Sequence, residues 1–480
     1  MAWRVAVPVL AGATVALLPA PPGLAQAAWY YVAVFTAVIL GLITEPLPPS
    51  AVGFIGVTVA AAAGLPFSDA QRAAPGFRPS AEAVRWALAG FSNSTVWLIF
   101  AAFVFAMGYE KTGLGRRIAL VMVRTLGHRT LGLGYAVALS DVLLAPFTPS
   151  NTARSAGMIF PVIRNIPELY GAGTDQPARQ LGTYLMWVAF ATTCVTSSMF
   201  VTALAPNLLL LDLARASTGV EITWTAWFVG FVPLGVALVL LVPWITFRLH
   251  PPETRTSREV PRWAASALAD MGPISRKEMG MAALALVCLA LWIFASAVID
   301  ATLVAMIAVS LMLAGGIVSW DDVLTNRPAW NVLAWFATLV VLADGLNRVG
   351  VVAWLGRGTA SLLSGHPPLV VMTVLVAIFF VMHYAFAGIT AHTTAMAPVF
   401  LAAGAAVEGL PIRTFVMLLG FSLGIMGVLT PYATGPAPLY YGCGFIARRD
   451  FWRLGFLFGL LFLAMLLAVG SPWLLMLTRA

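Results

Sequence analysis

Charge is what this sequence has least of. Asp, Glu, Lys and Arg together make up 10% of 480 residues, while 60% are hydrophobic. A soluble domain carries about 25% charged residues, so a mean hydropathy of +0.92 excludes an ordinary soluble enzyme. Cysteine is nearly absent, with three residues at 194, 288 and 443 and no CxxC spacing. That argues against structural disulfides and a zinc site, and no metal or cofactor is read from the sequence. Strand-period alternation is rare, which excludes a β-barrel. No HExxH and no protease-type aspartate pair occurs, and Ser150 has no neighbouring base in sequence, so hydrolase chemistry finds no support.

What remains is an all-α polytopic membrane protein. A span needs about 20 mostly apolar residues. Eleven candidates lie near 5–25, 28–44, 50–66, 94–110, 181–204, 224–247, 279–298, 301–318, 330–346, 411–433 and 453–477. Two more apolar stretches, near 130–165 and 366–405, are interrupted by polar motifs and read as re-entrant hairpins. The net charge of +8 suggests a polyanionic partner, but its placement argues otherwise. With a cytoplasmic N-terminus, 18 of the 27 Lys and Arg fall inside and 8 outside, leaving Arg154 within the membrane. This is the positive-inside asymmetry of a membrane protein, with no nucleic-acid partner and the C-terminus outside. The string GLAQAAW near residue 25 has a small-x-small pattern, but a single basic residue precedes it, so the first span is read as retained.

Polarity is concentrated in a few places. The string TPSNTARSAG at 148–157 holds hydroxyls, an amide and an arginine beside apolar runs. A second polar string, GITAHTTAMAP, covers 388–398. A segment that enters a membrane and turns back must break its helix at the tip, which is tolerable only in protein or at a cavity. Such a tip presents helix N-terminal N–H groups, which favour an anion. Ser150, Asn151 and Thr152 add neutral donors at the first tip; Thr390, Thr393 and Thr394 add them at the second. Each hairpin is followed by an interrupted span, TTCVTSSMFVT at 192–202 and TPYATGPAP at 430–438.

The chain also repeats itself. The segments 96–119 and 332–356 match at Phe100 and Phe336, at Ala101 and Ala337, and, after a one-residue shift, at Gly113 and Gly350. An odd number of spans separates them, so the second copy is inverted, as in many secondary transporters. The expected organisation is N-terminal scaffold helices at 1–93, a first repeat at 94–247, a charged cytoplasmic linker at 248–278 and a second repeat at 279–480.

The strings TPSNTAR, TAHT and TPYATGPAPLYYGCGFI resemble the divalent anion/sodium symporter family, most closely its exchanger branch of citrate/succinate, tartrate/succinate and 2-oxoglutarate/malate exchangers. The resemblance covers nearly the whole chain. It implies eleven spans plus two hairpins, a homodimer in lipid, an elevator-type movement, and exchange of di- or tricarboxylates. The family's first SNT triplet falls on Ser150, Asn151 and Thr152; its second falls on Ala391, His392 and Thr393. Substrate contacts in the interrupted spans correspond to Thr196, Ser197 and Ser198 and to Ala433, Thr434, Gly435 and Pro436.

The departure from SNT at the second tip removes two hard oxygen ligands of the kind sodium needs. Arg154 and His392 supply a basic side chain near each tip instead. The expectation is therefore sodium-independent antiport, with Arg154 and His392 compensating substrate charge. The alternatives are a sodium-coupled dicarboxylate symporter and an inorganic divalent-anion carrier.

Overall fold

The computed structural model describes residues 2–167, 176–253, 255–296, 298–363 and 365–479. Helices dominate, and no strand longer than an isolated bridge occurs among these residues. Three N-terminal helices, Ala2–Leu17, Gln26–Thr44 and Pro49–Ala62, precede a bent pair at 79–112.

From residue 94 onward the same succession of elements occurs twice. Helix Ser94–Thr112 ends at Gly113, whose φ of 78° permits the left-handed turn into Leu114–Leu126. Helix Arg327–Arg348 is likewise followed by Gly350, at φ 83°, and then Val351–Leu363. Only glycine adopts this conformation at no steric cost. A helix–break–helix segment follows in each case. In the first, Thr130–Leu144 gives way to a short 3-10 turn and then to helix from Asn151 to Ile163, through a π-helical turn at Ser155–Ile159. In the second, Pro368–Met382 gives way to Ile389–Ala405. Each is followed by a helix that stops halfway, Gln176–Met199 and Ile412–Ile425. The chain resumes as helix at Ala205 and Pro436.

Full-length spans are fewer than the hydropathy reading implies. Among the described residues seven helices are long and apolar enough to cross a bilayer, or eight with the bent pair counted as one. The stretches near 5–25, 50–66 and 301–318 form helices of only 14 to 16 residues. Turn residues shorten them: Pro21 and Pro22 follow the first, and Gly64 and Gly315 close the others. The apolar run 411–433 is cut because residues 426–435 leave the helical path before Pro436 starts a new one.

The charged segment 248–278 is also more ordered than a tether. Helix Glu259–Asp270 packs on Leu114–Leu126, and Val260 and Ala264 are fully buried. Thr130 N–H donates to Arg255 O and Ser257 N–H to His128 O, tying the segment to the first repeat. Arg117 closes the arrangement, with Nε donating to Glu278 at 2.6 Å and Nη1 to Gly272 O at 3.1 Å.

Candidate functional site

Both helix breaks meet at one cavity of about 310 Å³. The first tip contributes Pro149, Ser150, Asn151 and Thr152; the second contributes Ala387, Gly388, Ile389, Thr390 and Ala391. The two interrupted helices add Leu204, Ala205 and Pro206, and Thr434 and Gly435. Apolar walls come from Phe103, Val332 and Trp335, and Leu42, Glu45 and Pro49 close the remaining side.

The backbone supplies the positive field. The helical segments starting at Asn151, Ala205 and Ile389 all begin at this cavity. First-turn N–H groups have no intrahelical acceptor, and a helix N-terminus carries roughly half a positive charge; at the Ala205 start, however, Ala205 N–H already donates to Pro149 O at 3.0 Å and Pro206 has no N–H. Ser150 Oγ accepts from Ala153 N–H at 3.2 Å, which fixes the first tip. Gly388 sits at φ 132° and ψ 148°, a region open essentially to glycine alone, and this allows the second tip to turn.

The two halves touch at the site. Asn151 Nδ2 donates to Thr434 Oγ1 at 2.9 Å. Beside it, Thr152 packs so closely on Gly435 that a Cβ there would lie 1.9 Å from Thr152 Oγ1.

Arg154 faces the other way. It is fully buried, does not line the cavity, and pairs with Asp141, Nε to Oδ1 at 2.9 Å. Its Nη1 donates to Thr148 O at 3.1 Å and Ala203 O at 3.4 Å. Its Nη2 donates to Thr193 and Thr196 Oγ1, each at 3.1 Å, and to Ser197 Oγ at 3.4 Å. Thr196 donates in turn to the second oxygen of Asp141. The guanidinium thus fills a cage of oxygens behind the first tip, and Asp141 cancels its charge. Arg154, expected to compensate charge in place of sodium, thus lies behind the first tip and not on the cavity wall.

The same geometry relocates the other hydroxyls. Thr196 and Ser197 belong to the Arg154 cage and do not line the cavity. Ser198 Oγ donates to Phe421 O at 2.7 Å and accepts from Ile425 N–H at 3.1 Å, clamping the two interrupted helices together. Thr393 and Thr394 donate back to Ile389 O and Thr390 O, each at 2.8 Å, the local bonding typical of threonine in a membrane helix. Thr390 and Ala391 reach the cavity, whereas Thr393, His392 and Pro436 do not.

His392 is fully buried between the rings of Phe379, Phe386 and His383, and among the described residues neither ring nitrogen has a hydrogen-bond partner. Its neighbour His383 bonds through Nε2 to Ala433 O at 2.9 Å. A carbonyl only accepts, so Nε2 carries the proton in this arrangement. Each tip segment thus sends one basic side chain to a carbonyl in the break that follows it: Arg154 to Ala203 and His383 to Ala433. Asp141 and His383 were missed in the sequence. Asp141 is the sole acid in the apolar run 130–147, and an intramembrane arginine calls for such a partner.

One motif resolves to structure alone. Residues 420–424 read GFSLG, the spacing of a hydrolase nucleophile elbow. They lie inside a helix, and Ser422 Oγ donates to Leu418 O at 2.8 Å.

A family model for the sodium:sulfate symporter transmembrane region matches residues 1–479. The chain belongs to the divalent anion/sodium symporter family. It is 48% identical over 474 residues to the L-tartrate/succinate antiporter of Escherichia coli (strain K12), covering 98% of this chain and 97% of the relative. The Shigella flexneri L-tartrate/succinate antiporter matches at the same identity and coverage. Among solved structures, the Alcanivorax borkumensis YdaH transporter aligns with a TM-score of 0.55 at 16% identity, over 83% of this chain and 89% of that one. That likeness speaks to the fold.

Proposed function

We propose that this integral membrane protein is a secondary active antiporter exchanging dicarboxylates of the succinate, malate, tartrate and 2-oxoglutarate class, and that it catalyses no chemical step. The observation that carries this reading is the cavity itself, where three helix N-termini and the Asn151–Thr434 pair surround a space free of Lys and Arg. At about 310 Å³ it lies at the small end of ligand pockets, suited to a compact anion. The full-length likeness to antiporters that exchange two such acids supports the same class.

The charge argument changes with Arg154. Its cage of carbonyl and hydroxyl oxygens is the hard-ligand set a sodium ion would use, and the guanidinium occupies it permanently. Because Asp141 moves with it, that pair is neutral overall. The positive potential in an empty site comes from the helix ends. A bound dianion cancels it, so an empty carrier returns less readily than a loaded one. This favours exchange without sodium over symport.

The elevator reading rests on how the pieces are tied. The Arg154 cage, the Ser198 clamp and the Asn151 and His383 bonds join both tip segments and both interrupted helices into one unit. Leu42, Glu45 and Pro49, from the N-terminal helices, only border it. In this reading a homodimer forms through those outer helices, and the membrane is the bacterial inner membrane with the N-terminus cytoplasmic. Competition assays test the substrate class: succinate and tartrate should inhibit uptake of labelled succinate into succinate-loaded proteoliposomes. Equal inhibition by sulfate would favour an inorganic-anion carrier.

A further inference from the structure

Glu45 is the one charged residue among the described residues that line the cavity. Its placement runs against local preference in two ways. It is the only described non-glycine residue with positive φ, at 48°. A side chain other than Gly, Asn or Asp is uncommon there. It also closes the C-terminus of helix Gln26–Thr44, where the helix dipole favours a cation and disfavours a carboxylate. Its backbone N–H caps the helix by donating to Gly41 O, a bond that glycine or asparagine would make equally well. Among the described residues no cation or hydrogen-bond donor engages its carboxylate. Pro46, Pro48 and Pro49 follow it and stiffen the chain beyond that point. Helix capping does not account for a carboxylate here; Glu45 is exposed, and it borders the cavity.

We propose that Glu45 is a specificity-determining residue that excludes a third carboxylate from the site. The inference rests on the dicarboxylate-antiporter reading and names a residue that would enforce it. The helix N-termini hold two carboxylates of a compact substrate. A third group on the same skeleton has to face the remaining wall, which includes Glu45. A third carboxylate turned toward that wall comes nearest Glu45, and like charges closer than one Debye length, ~8 Å at physiological salt, repel each other. At that distance and an intermediate dielectric the repulsion discriminates by on the order of tenfold or more.

The test uses glutarate and tricarballylate, which share a three-carbon core and differ by one carboxylate. Each competes with labelled succinate for exchange into succinate-loaded proteoliposomes near pH 8, far above carboxylate pKa values of about 4. In the wild type, tricarballylate should inhibit at least about tenfold more weakly than glutarate, equivalent to ~1.4 kcal/mol. Glu45→Gln should lower the half-inhibiting concentration of tricarballylate by about tenfold and shift glutarate by less than about threefold. Glu45→Asn, which tolerates the left-handed backbone, should do the same, and Glu45→Asp should keep the wild-type ratio. An unchanged ratio in both neutral variants, or parallel shifts for both acids, overturns the role of Glu45. Absence of succinate exchange in the wild type overturns the antiporter reading itself, so the two failures are distinguishable.

Discussion

The Arg154 guanidinium and the Asp141 carboxylate, 2.9 Å apart and both buried, form an ion pair behind the first tip. Removing one partner strands the other, a loss of about 3–5 kcal/mol. Arg154→Met and Asp141→Asn should each lower the thermal midpoint of the detergent-solubilised protein and abolish exchange. The double variant Asp141→Leu/Arg154→Met should be more heat-stable than either single variant. If Arg154 instead met the substrate, Asp141→Asn would free its charge and tighten dicarboxylate binding. Tighter binding in that variant contradicts the geometry.

The close approach of Gly435 to Thr152 gives a second expectation. A methyl group at 435 would collide with Thr152 Oγ1 at 1.9 Å. Gly435→Ala should therefore abolish exchange. Adding Thr152→Ala removes the nearest atom and should restore part of the rate, measured as initial uptake at saturating substrate. No recovery in the double variant would place the fault elsewhere than this contact.

At the tips, Asn151 and Thr390 line the cavity while Thr393 bonds back to its own helix. Asn151→Ala should raise the half-saturating concentration by roughly tenfold or more, since a hydrogen bond to a charged group is worth about 1.5–3 kcal/mol. Thr390→Val should act in the same direction. Thr393→Val should change it by less than about twofold. Reversal of this order would restore the resemblance-based assignment of Thr393 to the site.

The two histidines should separate. Both ring nitrogens of His392 are buried without partners, so replacing the ring with a phenyl removes an unmet desolvation cost of about 1–3 kcal/mol. His392→Phe should raise the thermal midpoint and retain exchange. His383→Phe breaks the bond to Ala433 O and should lower both. Loss of exchange in a stable His392→Phe protein would show that this ring serves transport directly.

Much of this was legible beforehand, for stated physical reasons. Apolar runs disclosed the membrane, and the SNT string at 150–152 marked the first tip because it interrupts an apolar run and has a polar counterpart in the second half. The first interrupted span was visible as a hydroxyl run at 192–202, and the second as a Pro, Gly and hydroxyl cluster at 430–438. Side-chain direction was not legible. Arg154 lies two residues past Thr152, yet it points away from the cavity that Thr152 borders, because helical geometry turns about 100° per residue. Thr393 and Ser198 look like ligands in one dimension and prove to be internal bonds. Glu45 lies over a hundred residues before the first tip, and its position at the cavity depends on how the N-terminal helices pack.

The central claim is that Arg154 fills the cage a sodium ion would use and that the carrier works by exchange without sodium. The most direct measurement is uptake of labelled succinate into proteoliposomes holding succinate, tartrate or no carboxylate, in choline buffer and in sodium buffer. The account predicts rapid uptake with either internal acid, near-zero uptake into empty vesicles, and the same rates in choline and sodium. Uptake into empty vesicles that requires sodium would contradict it and identify a symporter.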